Sequence, residues 1–305
     1  MISQPVTEDM RFIFIGASGF VGRHALRLTR EAGHDAIGTQ STPRSPDLVK
    51  FNLLEDRIKP VLSSLSSDSH GPTWGVICAS IRQIDQCFRE RDITRQVNVV
   101  KTIELIEDFL QLGIRPIFLS TSYVFDGAKG CYTEKDAHSA CCEYGRQKAE
   151  VEAYLAQHHP EVLVLRLDKI VGDDPAEEHL FSEWLTWVRE GKPITCISGQ
   201  VMSPTLAQDI GRALLAACNR HLKGLYNTAN PACFSREELA AEFLAVTGLK
   251  AEIVSKPQSS FRFDDPRPTK TCLDSSKFIG ETGLHFTPMR DVLAAFARKA
   301  GLKPG

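Results

Sequence analysis

No uninterrupted apolar run in the 305 residues approaches the roughly 18 that a membrane-crossing helix needs, so no membrane partner is expected. Blocks of like charge are missing too. Lys and Arg number 36 against 38 for Asp and Glu, a formal net charge of −2, which argues against nucleic-acid or membrane-surface binding by bulk charge. The opening segment MISQPVTEDM carries acidic residues and no basic stretch leading into an apolar one, so no secretory leader is expected. No two cysteines stand in C-x-x-C spacing, and the nine present (Cys78, Cys87, Cys131, Cys141, Cys142, Cys196, Cys218, Cys233, Cys272) make an odd number. That pattern reads as reduced thiols of a cytoplasmic protein rather than a disulfide framework or a zinc site. Cys131, His138, Cys141 and Cys142 fall within twelve residues, but adjacent cysteines do not easily share one metal and no second cluster matches. A packing or substrate-lining role is expected there, with no metal. Repeats and low-complexity tracts are absent as well. What remains is 42% hydrophobic and 24% charged, enough to bury a sizeable core in one large or two small units.

The apolar runs Arg11–Ile15, His34–Thr39, Trp74–Ala79, Pro116–Thr121 and Glu161–Leu167 read as strands separated by helix-length segments. The clearest helix is predicted over Ile93–Leu112, with Val97, Val100, Ile103, Ile106 and Leu110 on one stripe and Gly113 just past its end. Another is expected over Tyr144–Gln157. Such alternation implies an α/β fold, a Rossmann-like doubly wound parallel sheet covered on both faces. Beyond Arg166 the prolines at 175, 193 and 204 break the rhythm, and helical segments are expected near His179–Glu190, Leu206–His221 and Arg236–Thr247. We therefore expect a dinucleotide-binding domain over residues 1–169, returning at about 201–230, and a smaller, mostly C-terminal α/β substrate lobe from residues 170–200 and 231–305.

Gly16-Ala-Ser18-Gly19-Phe20-Val21-Gly22 has the form G-x-x-G-x-x-G between the first strand and an amphipathic helix. Glycines let the backbone approach a pyrophosphate, and a helix N-terminus offers free N–H groups and a positive dipole end. Where a binder of NAD usually carries a carboxylate, at the end of the second strand, stand Thr39-Gln40-Ser41. Arg44 and Arg23 could instead pair with a 2′-phosphate, so NADP(H) is favoured and NAD(H) stays open.

Tyr144 and Lys148, at i and i+4, share one helix face about a turn apart. A neighbouring ammonium is expected to lower the phenol's pKa and suit it to give a proton during carbonyl reduction. Ser120-Thr121 closes the fourth strand predicted here, at the carboxyl end where ligands sit in such sheets.

Glycine loop, strand-end hydroxyl and Y-x-x-x-K together resemble the extended short-chain dehydrogenase/reductase superfamily. Ser120-Thr-Ser-Tyr-Val-Phe-Asp-Gly127 is similar to the S-T-D-Y-V-F-D-G stretch of the dTDP-4-dehydrorhamnose reductase family, nucleotide-sugar reductases. Val97-Asn98-Val99-Val100, Pro204-Thr-Leu-Ala-Gln-Asp209, Gly224-Leu-Tyr-Asn227, and Arg267-Pro268 followed by Leu273-Asp-Ser-Ser-Lys277 agree in order, so the likeness spans nearly the whole chain. It implies that Thr121 orients the carbonyl, Tyr144 exchanges the proton, and Lys148 holds the nicotinamide ribose. Ala79 and Ser80 would flank the cofactor, Asn98 would support it, and Ser122, Tyr123, Ser203, Thr205 and Arg267 would lie near the nucleotide sugar. A homodimer paired through the tyrosine helix is also implied.

Three positions depart from the family's usual residues: Ser122 for Asp, Val171 for an aromatic, and Cys141 or Cys142 for a proline. A dehydratase of this superfamily would need an acid and a base beside Thr121, and Ser122-Tyr123 supplies no carboxylate. An epimerase keeping its NAD through a redox-neutral cycle stays open. So does a dinucleotide-binding regulatory subunit, since the regulatory chain of methionine adenosyltransferase resembles the same branch.

Overall fold

A computed structural model describes residues 9–63 and 71–302; the first eight residues of the leader reading above lie outside the described residues. Strands β1 (Arg11–Ile15), β2 (Asp35–Gln40), β3 (Val49–Lys50), β4 (Thr73–Ile77), β5 (Arg115–Thr121) and β6 (Leu163–Leu167) alternate with helices α1 (Phe20–Glu31), α2 (Ile58–Ser63), α3 (Ile84–Arg89), α4 (Arg91–Arg95), α5 (Thr102–Gln111) and α6 (Glu143–His158). Then come β7 (Ile170–Val171), α7 (Leu180–Arg189), β8 (Ile194–Ile197), β9 (Val201–Met202), β10 (Thr205–Leu206), α8 (Ala207–Asn219) and β11 (Leu225–Asn227). The chain ends in β12 (Phe234–Ser235), α9 (Arg236–Thr247), β13 (Ile253–Lys256), α10 (Ser276–Thr282) and α11 (Met289–Lys299).

Seven strands build one sheet in the order β11-β6-β5-β4-β1-β2-β3, every pairing parallel. The chain reverses its direction of travel across the sheet between β1 and β4, which is where a crevice opens in a doubly wound fold. Side chains alternate between the two faces, as a strand's period of two requires. Phe12 and Phe14 join Ile117, Leu119, Leu163 and Leu165 under α1 and α8, while Ile13, Ile15, Phe118 and Val164 meet Phe109 of α5 and Val151 of α6 on the other side. Each such fully buried large side chain contributes about 1.5–3 kcal/mol. A separate core joins α7, α9 and α11 through Trp184, Phe181, Phe243 and Phe296.

The doubly wound parallel sheet expected from the alternation is present, with two corrections. The two-residue strand β3 carried no readable pattern, so Thr121 closes the fifth strand rather than the fourth. The helix predicted over Ile93–Leu112 is α4, one π-helical stretch over Gln96–Lys101, and α5. Thr94, Asn98, Val99, Thr102, Leu105, Ile106 and Phe109 are buried, and Val97, Ile103 and Leu110 of the predicted stripe pack half-buried against the same core, so the π-helical turn widens the inward face to include polar residues.

Candidate active site

The glycine loop leaves β1 and turns into α1 at the switch point. Gly16 holds φ +83°, and a Cβ there would lie 2.8 Å from the Ala79 backbone, just beyond the end of β4. Thr39 fixes the loop: its Oγ1 accepts from the Gly16 N–H at 3.1 Å and its carbonyl from the Ala17 N–H at 2.8 Å. Thr39 is itself buried beneath the loop it shapes. Gly19 caps α1 with no side-chain acceptor and no acid stands in the first turn, so the N–H groups of Phe20, Val21 and Gly22 open an anion seat. Ser18 lies exposed at its rim. A Cβ on Gly22 would sit 2.6 Å from the Gly16 carbonyl oxygen, so Gly22→Ala must displace the cradle. Dinucleotide affinity should fall by at least about tenfold in a fluorescence titration, a loss of 1.4 kcal/mol or more; unchanged affinity would remove this loop from the binding site.

Beside the loop, a cleft of about 480 Å³ is lined by Ala17, Ser18, Arg23, Gln40, Arg44 and Ser45, among others. Arg23 is engaged, its guanidinium pairing with Glu177 at 3.0 Å and stacking over Phe20 at 5.0 Å. Arg44 makes no ion pair among the described residues. Gln40, standing at the end of β2 where an NAD binder usually carries an acid, presents it: the Gln40 Oε1 accepts from the Arg44 and Ser45 N–H groups at 2.8 and 3.1 Å, and its Nε2 donates to the Ser45 and Leu48 carbonyls. The cradle and its neighbouring cation thus fit a dinucleotide with an extra phosphate.

Thr121, Tyr144 and Lys148 come from the end of β5 and the first turns of α6. The Thr121 Oγ1 caps the turn that follows, accepting from the Tyr123 N–H at 3.2 Å. Lys148 is buried, and its Nζ donates to the Leu119 carbonyl at 2.9 Å. Burial lowers its pKa to about 8, opposed by the charge of Glu152 one turn further on. Tyr144 packs edge-on to Tyr123 with ring centroids 6.3 Å apart. Burial pushes its phenol above the usual tyrosine range, and the cation that opposes this is Arg82. The expected depression of the phenol by Lys148 is therefore not the balance set by the protein alone: the ammonium faces the Leu119 carbonyl.

Asn98 sits in the π-helical stretch and is fully committed. Its Oδ1 accepts from the Ser80 hydroxyl at 3.0 Å and the Ile81 N–H at 2.8 Å, while its Nδ2 donates to the Ile81 carbonyl and to Gln147 Oε1, both at 2.8 Å. It braces the turn carrying Ala79 and Ser80 against α6.

The residues expected along the substrate side split into two groups. Ser122, fully buried, donates to Asp168 Oδ1 at 2.7 Å, and the Ser203 N–H donates to Asp168 Oδ2 at 2.6 Å. Thr205 is spent inside the fold, donating to the Ser203 carbonyl and accepting from the Asn230 N–H. Arg267 pairs with Asp85 at 2.8 Å and lies over Phe263. Asp168 was not foreseen. It follows β6 at the carboxyl end of the sheet and accepts from the Ser122 hydroxyl; burial raises its pKa to about 6 against the hydrogen bonds that hold it. Next to it burial lowers Lys169 to about 8, with the charge of Arg236 acting in the same sense. The placement of these residues just past a sheet strand was the available signal.

The family model described as the RmlD substrate binding domain matches residues 10–301. The chain is 26% identical to the probable low-salt glycan biosynthesis reductase Agl14 of Haloferax volcanii, covering 92% of this chain and 95% of that protein. It is 30% identical to methionine adenosyltransferase 2 subunit beta of Danio rerio over 71% of this chain and 66% of that one. Its fold is shared by the dTDP-4-dehydrorhamnose reductase of Bacillus anthracis, crystallised with NADP, at a TM-score of 0.82, 19% identity and coverage of 94% and 98%. With its Rossmann sheet, glycine cradle and Thr-Tyr-Lys set, the chain belongs to the RmlD family, NAD(P)-dependent oxidoreductases of the extended short-chain dehydrogenase/reductase type.

Proposed function

We propose that this protein reduces a keto group on a nucleotide-linked deoxysugar with NADPH, and that the catalytic residues are Thr121, Tyr144 and Lys148. The observation that carries this reading is the convergence of a strand-end hydroxyl, a phenol and a buried ammonium at the carboxyl ends of β5 and α6's first turns, beside the switch point. When bound, the dinucleotide supplies the hydride. Thr121 and Tyr144 hydrogen-bond the carbonyl oxygen, and Tyr144 gives it the proton as negative charge develops there. Lys148 holds the ribose of the nicotinamide and keeps positive charge beside the phenol. Asp168, Lys169, Tyr123 and Arg236 shape the sugar side of the cleft, and Arg44 holds the 2′-phosphate. Free thiols at all nine cysteines support a reducing, cytoplasmic setting, and the family likeness supports pairing of two copies through α6.

The test is a titration with NADPH and NADH followed by turnover of keto-deoxysugar nucleotides. NADPH should bind more tightly, and Arg44→Ala should cost it about tenfold, or 1.4 kcal/mol, while sparing NADH. NAD released only on denaturation would overturn the reductase reading in favour of an epimerase-like cycle. NADPH binding with no turnover of any keto sugar would favour a regulatory binder such as the methionine adenosyltransferase relative.

A further inference from the structure

Outside the Thr-Tyr-Lys set, three cysteines distant in sequence converge on the substrate side of the cleft. Cys131 lies in the segment between β5 and α6, Cys233 in the segment between β11 and β12, and Cys272 just before the bridge that pairs Tyr132 with Leu273. Cys131 and Cys233 are exposed and Cys272 is buried. The Cys131 and Cys233 sulfurs stand 3.8 Å apart, although 102 residues separate them along the chain. Cys131 itself holds a left-handed φ of +47°, a conformation that favours glycine, directly after Gly130 at +76°. An unfavourable backbone conformation kept at a solvent-facing thiol is the kind of outlier that marks a site.

We propose that Cys131 and Cys233 are a peroxide-responsive thiol pair that closes into a reversible intramolecular disulfide beside the substrate cleft. Cys233 is the attacking thiol. Hydrogen bonds from Cys272, Ser203 and Cys131 hold its pKa below the usual thiol range, whereas burial and the neighbouring Cys233 raise that of Cys131. The Cys233 thiolate attacks one peroxide oxygen, forming an S–O bond as the O–O bond breaks, and the departing hydroxide takes a proton to leave as water. The Cys131 sulfur then attacks Cys233 Sγ; the S–S bond forms, the S–O bond breaks, and the hydroxide leaves with the Cys131 proton as a second water. Two thiols are oxidised by two electrons and one peroxide is reduced. A dithiol reverses the change.

The position gives the disulfide a consequence. The Cys233 sulfur lies 3.8 Å from the Ser203 hydroxyl, and the Ser203 N–H holds Asp168. Closure ties the loop that leads into the catalytic helix to the loop that leads into β12, across the Asp168 side of the cleft. The glycine cradle is left untouched.

The full-length protein, fully reduced and then treated with a few equivalents of hydrogen peroxide, tests this by thiol titration and non-reducing peptide mapping. Titratable thiols should fall from nine to seven, the linked peptides should be those of Cys131 and Cys233, and dithiothreitol should restore all nine. Dinucleotide affinity should be the same before and after oxidation. In Cys131→Ser, Cys233 should stop at a sulfenic acid trapped by dimedone, while Cys141→Ser should cross-link like the parent. A Cys233–Cys272 link, a link between two chains, or retention of all nine thiols would overturn the proposal. The mapping is independent of what the cleft binds, so its failure leaves the reductase reading standing.

Discussion

Tyr144→Phe should keep its dinucleotide affinity and lose turnover by about 10²–10⁴-fold, the range expected when a positioned general acid is removed. The substitution deletes one hydroxyl and leaves the ring against Tyr123, so the packing of α6 is retained. Tyr144 is half-buried, and burial of its phenol favours the neutral, proton-bearing form. It is thus loaded with the proton that a reduced carbonyl must receive. Lys148 one turn along α6 stays held by the Leu119 carbonyl, so ribose binding should survive. Single-turnover measurement of NADPH oxidation against the parent separates the two effects. Turnover within threefold of the parent would remove Tyr144 from the proton transfer.

The parts of this site that sequence alone revealed are the local ones. A glycine loop seven residues long, a phenol and ammonium four apart, and a hydroxyl at the end of an apolar strand each announce themselves within one element. What stayed hidden depends on contacts between distant elements. Asp168 meets Ser122 across 46 positions and Ser203 across 35, and no spacing rule links them. Ser203 and Thr205 are held by bonds of the same kind, the Ser203 N–H to Asp168 and Thr205 between the Ser203 carbonyl and the Asn230 N–H. The helix before β5 shows a different cause. Its apolar periodicity was real, since Ile106 is buried and Val97, Ile103 and Leu110 pack against the core, but the inward face is wider than the periodicity implies and takes in Thr94, Asn98 and Thr102 as well. Those polar residues then pay for their burial with bonds: Asn98 to Ser80, Ile81 and Gln147, and Thr94 to Gln147 and the Glu90 carbonyl.

The same logic of buried polar groups yields the largest expected stability effect. Tyr144, Lys148 and Glu152 follow one another at intervals of four along α6 and so share a face. Glu152 is almost fully buried against Arg166 of β6, whose Nη2 lies 2.6 Å from Oε2 and whose Nε lies 3.0 Å from it. His138 Nε2 adds a contact at 2.8 Å, and the Ser120 hydroxyl, next to Thr121, donates to Oε1. Burial alone would raise the Glu152 pKa, but His138, Arg166 and Ser120 together hold it below the ordinary carboxylate range. Glu152→Gln removes the charge and strands a guanidinium that is 1% exposed, at a cost of about 3–5 kcal/mol. The melting temperature should drop by about 1.5 °C for each kcal/mol lost. The pH dependence has a definite sign. Because the folded pKa is depressed, the parent's advantage is complete above the unfolded carboxylate pKa and disappears as pH falls through the folded value. The gap between parent and variant should therefore narrow in acid. Pairing Glu152→Gln with Arg166→Met removes both charges and should recover part of the loss, since no buried charge is left unpaired and the amide at position 152 still meets Ser120 and His138. A double variant no more stable than Glu152→Gln would mean that the two charges act independently, with Arg166 held by the Phe125 ring 4.9 Å below it rather than by the carboxylate.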